Sequence, residues 1–220
     1  MPSPSRRRAP TRSSREIEFN AHTNARGTQD PICESNFVTL RRGLKAEAER
    51  AAVEARRRLA LAPHDPLNPA ELVQNLGLEV LDASTLVELS KFEELEKLEA
   101  SAFSAATFEI KGKKIIIYNP LRSDARRNSD VAHELAHVML NHGLPEIRDL
   151  GGMTFRTCRP NEEEGGATVF GGTLLLPRPL LLSAARRNEN LEQNATQCDV
   201  SIEVARFRYN STGVAKQARR

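Results

Sequence analysis

A chain of 220 residues, 39% hydrophobic and 28% charged, is long enough to bury a substantial core, and no stretch of it approaches the roughly 18–20 consecutive apolar residues of a membrane span. The formal net charge of +3 argues against a basic nucleic-acid-binding body, because the six arginines and two glutamates of residues 1–26 carry more than all of it and leave the remainder slightly acidic. The three cysteines, Cys33, Cys158 and Cys198, are odd in number, far apart and outside any Cys-x-x-Cys pair, which argues against a disulfide framework or a zinc ribbon and reads as free thiols.

Residues 1–35, with Pro2, Pro4, Pro10 and Pro31 and no periodicity, read as a disordered Arg/Pro/Ser-rich tail capable of weak contact with nucleic acid or acidic partners. No apolar segment of a secretion signal follows Arg6–Arg8 and the tail has no amphipathic stripe, so a cytoplasmic location is expected. A helix is predicted from about 42 to 61, where Leu44, Ala48, Ala51, Ala55 and Leu59 recur at helical spacing before Pro63. A short helix from Pro69 to about Leu76 closes at Gly77 and leads into a strand at about 78–81. Two β-rich segments flank Lys111-Gly112-Lys113 as a hairpin, and Pro120 ends the second of them.

A longer helix is predicted from about 123 to 141, stopped by Gly143 and Pro145, and after it Asp149–Pro160 reads as an irregular connection. A further helix spans about 162–176 and ends at Pro177; short helices and polar turns fill 178–213, and 214–220 is a basic tail. No repeat at a fixed period is present. Helices, then strands, then helices predict a mainly helical α+β domain over 36–213 with a small antiparallel or mixed sheet.

The chemistry lies in the long helix, as His133-Glu134-Leu135-Ala136-His137. Residues i and i+4 lie about 40° apart on a helix, so the two imidazoles can face one metal ion, and Glu134, about 100° from His133, can serve a water without being a ligand. Composition alone would generate this pattern only about 0.01 times in such a chain. On a helical wheel the two histidines, Glu134 and Asp130 share the face opposite Val131, Ala132, Leu135, Ala136, Val138, Met139 and Leu140. His142 falls about 140° from His137 if the helix continues, which reads as a C-terminal cap rather than a ligand. Asp130 could hold a histidine ring from behind or compensate the helix dipole, and Tyr118, at the end of the strand before this helix, could be an electrophile or simply an aromatic closing the sheet.

A catalytic zinc needs a third protein ligand and one open position. The acidic start of the next helix offers Glu162, Glu163 and Glu164, among which the wheel does not decide. Glu164 shares a face with Ala167, Thr168 and Gly171, small residues that would let the two helices lie close.

These two segments resemble the ImmA/IrrE family of metallopeptidases, which pairs the His-Glu-x-x-His helix with a downstream Glu-x-x-Ala-Asn-x-Phe-Ala-x-x-Leu-Leu-x-Pro helix. Ala167, Phe170, Leu174, Leu175 and Pro177 fix the register and select Glu164 as the third ligand beside His133 and His137, with one zinc ion per chain and Glu134 as general base. The resemblance extends more loosely over about Leu44–Gly213 and implies a zincin-like metallopeptidase fold. It also implies a protein substrate, in this family a helix-turn-helix transcriptional repressor cleaved in stress response or mobile-element control. Thr168 stands where the family prefers Asn, a position that can hold a histidine, and Gly165, Gly166, Gly171 and Gly172 replace better helix formers, which predicts a loose ligand helix.

The reading is therefore a zinc-dependent endopeptidase. Two alternatives come from other classes: a regulatory binding module that keeps the fold without turnover, and a nucleic-acid-binding protein acting through its basic tails.

Overall fold

The computed structural model describes residues 40–98, 103–143, 153–154 and 161–217. The chain divides into residues 1–37 and 38–220, and every described helix and strand belongs to the second unit. The expected tail at 1–35 and the thiols Cys33 and Cys158 lie outside the described residues.

Helix α1, Leu44–Arg58, buries Leu44, Ala48, Ala52 and Ala55 along one stripe, and its small side chains allow close approach of a neighbour. Helix α2, Pro69–Asn75, starts where the Asn68 side chain accepts a hydrogen bond from Ala70 N–H, with Pro69 at the first helical position, where its missing N–H costs nothing. Strand β1 is Glu79–Asp82, one residue later than predicted. A helix not anticipated, α3, covers Leu89–Leu98; it buries no residue fully and rests on the sheet through Phe92, whose ring centroid lies 6.1 Å from that of Phe103.

Strands β2, Ala105–Ile110, and β3, Lys113–Tyr118, form the expected hairpin. Lys111 and Gly112 at its turn have φ of 52° and 78°, the paired left-handed conformation that matches strand twist in two-residue hairpins. Helix α4, Asp124–Met139, begins where the Ser123 side chain accepts from Arg126 N–H. Within the segment predicted to be irregular, Met153–Thr154 form a two-residue strand, β4.

Helix α5 is Asn161–Leu175, followed by α6, Arg178–Arg186, α7, Leu191–Gln197, and α8, Ile202–Thr212. The predicted tail from 214 is corrected: Val214–Gln217 form a last helix, α9, and the Val214 side chain is fully buried because Gly213, at φ 66°, turns the chain back onto the core.

The sheet is mixed, in the order β1-β3-β2-β4, with β1 parallel to β3 and the other pairs antiparallel. Side chains alternate between its faces. Ile116 joins the main core, built from α1, α2, α4, α5 and the C-terminal helices, while Ile115 and Ile117 face a smaller cluster with Ala83, Phe92, Phe103 and Phe108. Thr107 pairs with Ile116 across the β2–β3 register, so it too points toward the main core and α4.

Two buried arginines close the far end of α5, where carbonyls have no partner within the helix. Arg56 is 1% exposed and donates to Leu174 O at 2.7 Å, Leu175 O at 3.0 Å, Ala52 O at 3.2 Å and Asp65 O at 2.9 Å. Burial draws its guanidinium down to about 10, which still leaves it charged at neutral pH, favourably placed at a helix C-terminus. Arg208 donates to Leu176 O at 3.0 Å and to Glu49 at 2.8 Å, and Glu49 in turn accepts the Arg178 N–H that opens α6.

Among the described residues no single helix is long and apolar enough to cross a membrane. Helices α5 and α6 together reach the length, but they bend by 53° at their junction and bury their apolar side chains in the core.

Candidate metal centre

His133 and His137 project from the last turns of α4 toward the first turn of α5. His133 Nε2 and His137 Nε2 are 3.1 Å apart, and Glu164 Oε2 lies 3.1 Å from the first and 3.4 Å from the second. Three ligand atoms of a tetrahedral ion with bonds of about 2.0–2.1 Å are separated by roughly 3.3 Å, so the donors already sit at the corners such an ion requires. The His137 side chain is 3% exposed, whereas those of His133 and Glu164 are 29% and 42% exposed, which leaves the cluster open to solvent on one side. Burial alone would raise the Glu164 carboxyl, but hydrogen bonds and charge from His133 and His137 outweigh it and hold the group ionised well below the usual carboxylate range.

Glu134 completes a group with His133 and His137 whose potential ligand atoms all lie within 4.8 Å of one another. It is buried and accepts a hydrogen bond of 2.7 Å from the Thr107 hydroxyl on β2. Sequence reasoning misses Thr107, and only the hairpin register, which places it opposite Ile116, could have pointed to it.

His142 corrects the expectation of a simple cap. Helix α4 does not continue to it: Asn141 adopts φ 54°, Asn141 N–H bonds Val138 O at 3.1 Å, and His142 N–H bonds His137 O at 3.0 Å. This pair of bonds around a left-handed residue is the Schellman ending, which folds the last residue back over the helix and voids the wheel angle. The His142 ring meets His137 edge to face, with centroids 4.9 Å apart, and the two Nδ1 atoms are 2.8 Å apart.

The remaining candidates make other contacts. The Asp130 carboxylate is held by Arg126 Nε at 3.2 Å and 3.3 Å, with burial raising its pKa against that attraction. Tyr118 packs against the main core with the Arg127 guanidinium 5.2 Å from its ring centre, about 9 Å of helix rise before His133. Thr168 is exposed and turns its hydroxyl to Glu164 O at 2.9 Å, a bond within its own helix. It supports the turn that carries Glu164.

Gly171 of α5 has a packing role. A Cβ on Gly171 would lie 2.7 Å from Ala132 O and 3.1 Å from the His133 Cα, so its hydrogen is what lets α5 press against α4 beside the first histidine. Ala167 is fully buried, as close packing requires.

The family model of peptidase M78, the IrrE N-terminal-like domain, matches residues 89–210, more than half of the chain. The chain belongs to this family. The M78 match begins at the first residue of α3, so α1, α2 and β1 lie outside it although α1 packs against α5. No curated protein and no solved structure matches the chain. Membership of the M78 family, with the His133–Glu134–His137 group, supports a metallopeptidase-like role.

Proposed function

We propose that this chain is a zinc-dependent endopeptidase in which His133, His137 and Glu164 hold one zinc ion and Glu134 is the general base. The observation that carries the reading is the convergence of two imidazole nitrogens and one carboxylate oxygen from two helices at 3.1–3.4 Å, the spacing of a tetrahedral ligand set with its fourth side open. Two histidines and one carboxylate in a hydrolase favour zinc over harder ions.

When bound, the ion supplies Lewis acidity that polarises a substrate carbonyl and brings the pKa of water to about 7. Glu134 accepts the proton of the attacking water and returns it to the leaving amine. The Thr107 hydroxyl, donating to Oε2, fixes the rotation of that carboxylate on the buried side of the site. The exposed flank of Glu164 and His133 is where a peptide would approach.

The substrate we propose is a protein, a helix-turn-helix repressor, and this part rests on the family resemblance alone. The binding-module alternative draws its support from the Gly-rich ligand helix and from Thr168, and the close packing of Gly171 speaks against the first of these.

Elemental analysis of purified wild type beside Glu164→Ala and His137→Ala tests the metal site. About one zinc per chain, lost in both variants, is the expected result. Absence of metal after zinc is supplied to the wild type would overturn it. Turnover is tested separately by Glu134→Gln, which should keep the metal and lose cleavage; a variant that retains its full biological effect would make the chain a binding module.

A further inference from the structure

We infer that His142 is a positioning residue for the metal site, accepting a hydrogen bond from His137 Nδ1–H and thereby fixing the tautomer and ring orientation of that ligand. The inference rests on the reading of His133, His137 and Glu164 as ligands and extends it to a residue outside the motif.

His137 uses two opposite edges of its ring. Nε2 lies in the ligand cluster, 3.1 Å from His133 Nε2, while Nδ1 lies 2.8 Å from His142 Nδ1. A ligand that binds metal through Nε2 is neutral and carries its proton on Nδ1, so across that gap His137 donates and His142 accepts. His142 must then hold its own proton on Nε2. The 2.8 Å separation of the two Nδ1 atoms is a hydrogen-bond distance.

The backbone brings these two residues together. In a Schellman ending the residue after the left-handed one lies over the third residue from the helix end, and here those two are His142 and His137. The apolar contact that often fills this place is replaced by two imidazoles. At the neighbouring helix, a Cβ on Gly166 would stand 3.8 Å from His142 Cε1, so α5 flanks the ring at van der Waals distance. Histidine ligands generally lean on a carboxylate, a backbone carbonyl or water. Here a second histidine takes that part.

The test is zinc affinity by competition with a chromophoric chelator, for wild type, His142→Phe and His142→Asn. Phe fills the space without an acceptor, while the Asn Oδ1 occupies the position of the histidine Nδ1. The expected loss for Phe is about 10–100-fold, with Asn restoring affinity to within about threefold. Equal affinity in wild type and His142→Phe overturns the inference and leaves the three-ligand site standing, whereas a wild type that binds no zinc overturns both. Nitrogen NMR of the zinc-loaded wild type supplies a readout that needs no variant to fold. The inference requires His137 protonated on Nδ1 and His142 on Nε2, and a proton on His142 Nδ1 contradicts it.

Discussion

Gly171 of α5 stands against the Ala132 carbonyl of α4 so closely that a methyl group on it would lie 2.7 Å from the oxygen. The atom it meets is backbone, which cannot swing away, so Gly171→Ala must push the two helices apart. We expect a loss of about 1–3 kcal/mol in unfolding free energy and weaker metal binding, because Glu164 and the histidines move apart with their helices. Gly166→Ala meets nothing nearer than 3.7 Å and should be neutral or gain up to ~1 kcal/mol from helix propensity. Urea unfolding of the two variants separates the positions; equal effects would show that the close approach is unimportant.

Arg56 supplies four hydrogen bonds to carbonyls, two of them at the buried end of α5. Arg56→Met keeps much of the bulk and strands those oxygens, and should destabilise by about 3–5 kcal/mol. Arg56→Lys should recover little of this, since an ammonium cannot reproduce the planar fork. Thermal unfolding of both variants is the measurement, and a lysine variant as stable as wild type would refute the geometric account.

Thr107→Val removes the hydroxyl from Glu134 while preserving shape. Turnover should fall roughly 10–100-fold with zinc content unchanged, and Thr107→Ser should restore most of it. Comparison of kcat and KM on a cleaved substrate checks this, with the effect falling on kcat.

Cys198 is buried, and burial, only partly offset by Arg56, pushes its thiol up from 9.0 to about 11. In a Cys33→Ser/Cys158→Ser background, a thiol reagent at neutral pH should label the protein only in denaturant. The sign of the pH effect comes from linkage: between pH 9.0 and about 11 the unfolded chain releases this proton while the folded chain keeps it. This contribution to stability is full below pH 9.0 and declines through that window. Cys198→Ala should lack that part of the decline in pH-resolved urea unfolding.

How far the sequence reveals the site depends on whether a role is local or non-local. His133, Glu134 and His137 come from the period of one helix, and the hairpin from Lys111-Gly112 between β-rich segments. Glu164 needs the family register, because three adjacent glutamates look alike on a wheel. The wheel misplaces His142 by extending α4 past Asn141, whose left-handed conformation turns the chain back. Thr107, Arg56 and Arg208 depend on which residues meet across 27, 118 and 32 positions, and periodicity carries no information at those separations. Arginines within charged, helical sequence read as solvated until the fold buries them.

The grip of Arg56 and Arg208 on the end of α5 also sets an order of assembly during synthesis. The histidine pair on α4 emerges before α5 and α8 are made. The carbonyls of Leu174 and Leu175 can meet Arg56, made long before, but Leu176 must wait for Arg208 on α8. A nascent chain therefore carries both imidazoles well before the helix bearing Glu164 is locked at its far end. Such a chain, or one truncated before residue 208, has the histidines without a firmly seated carboxylate.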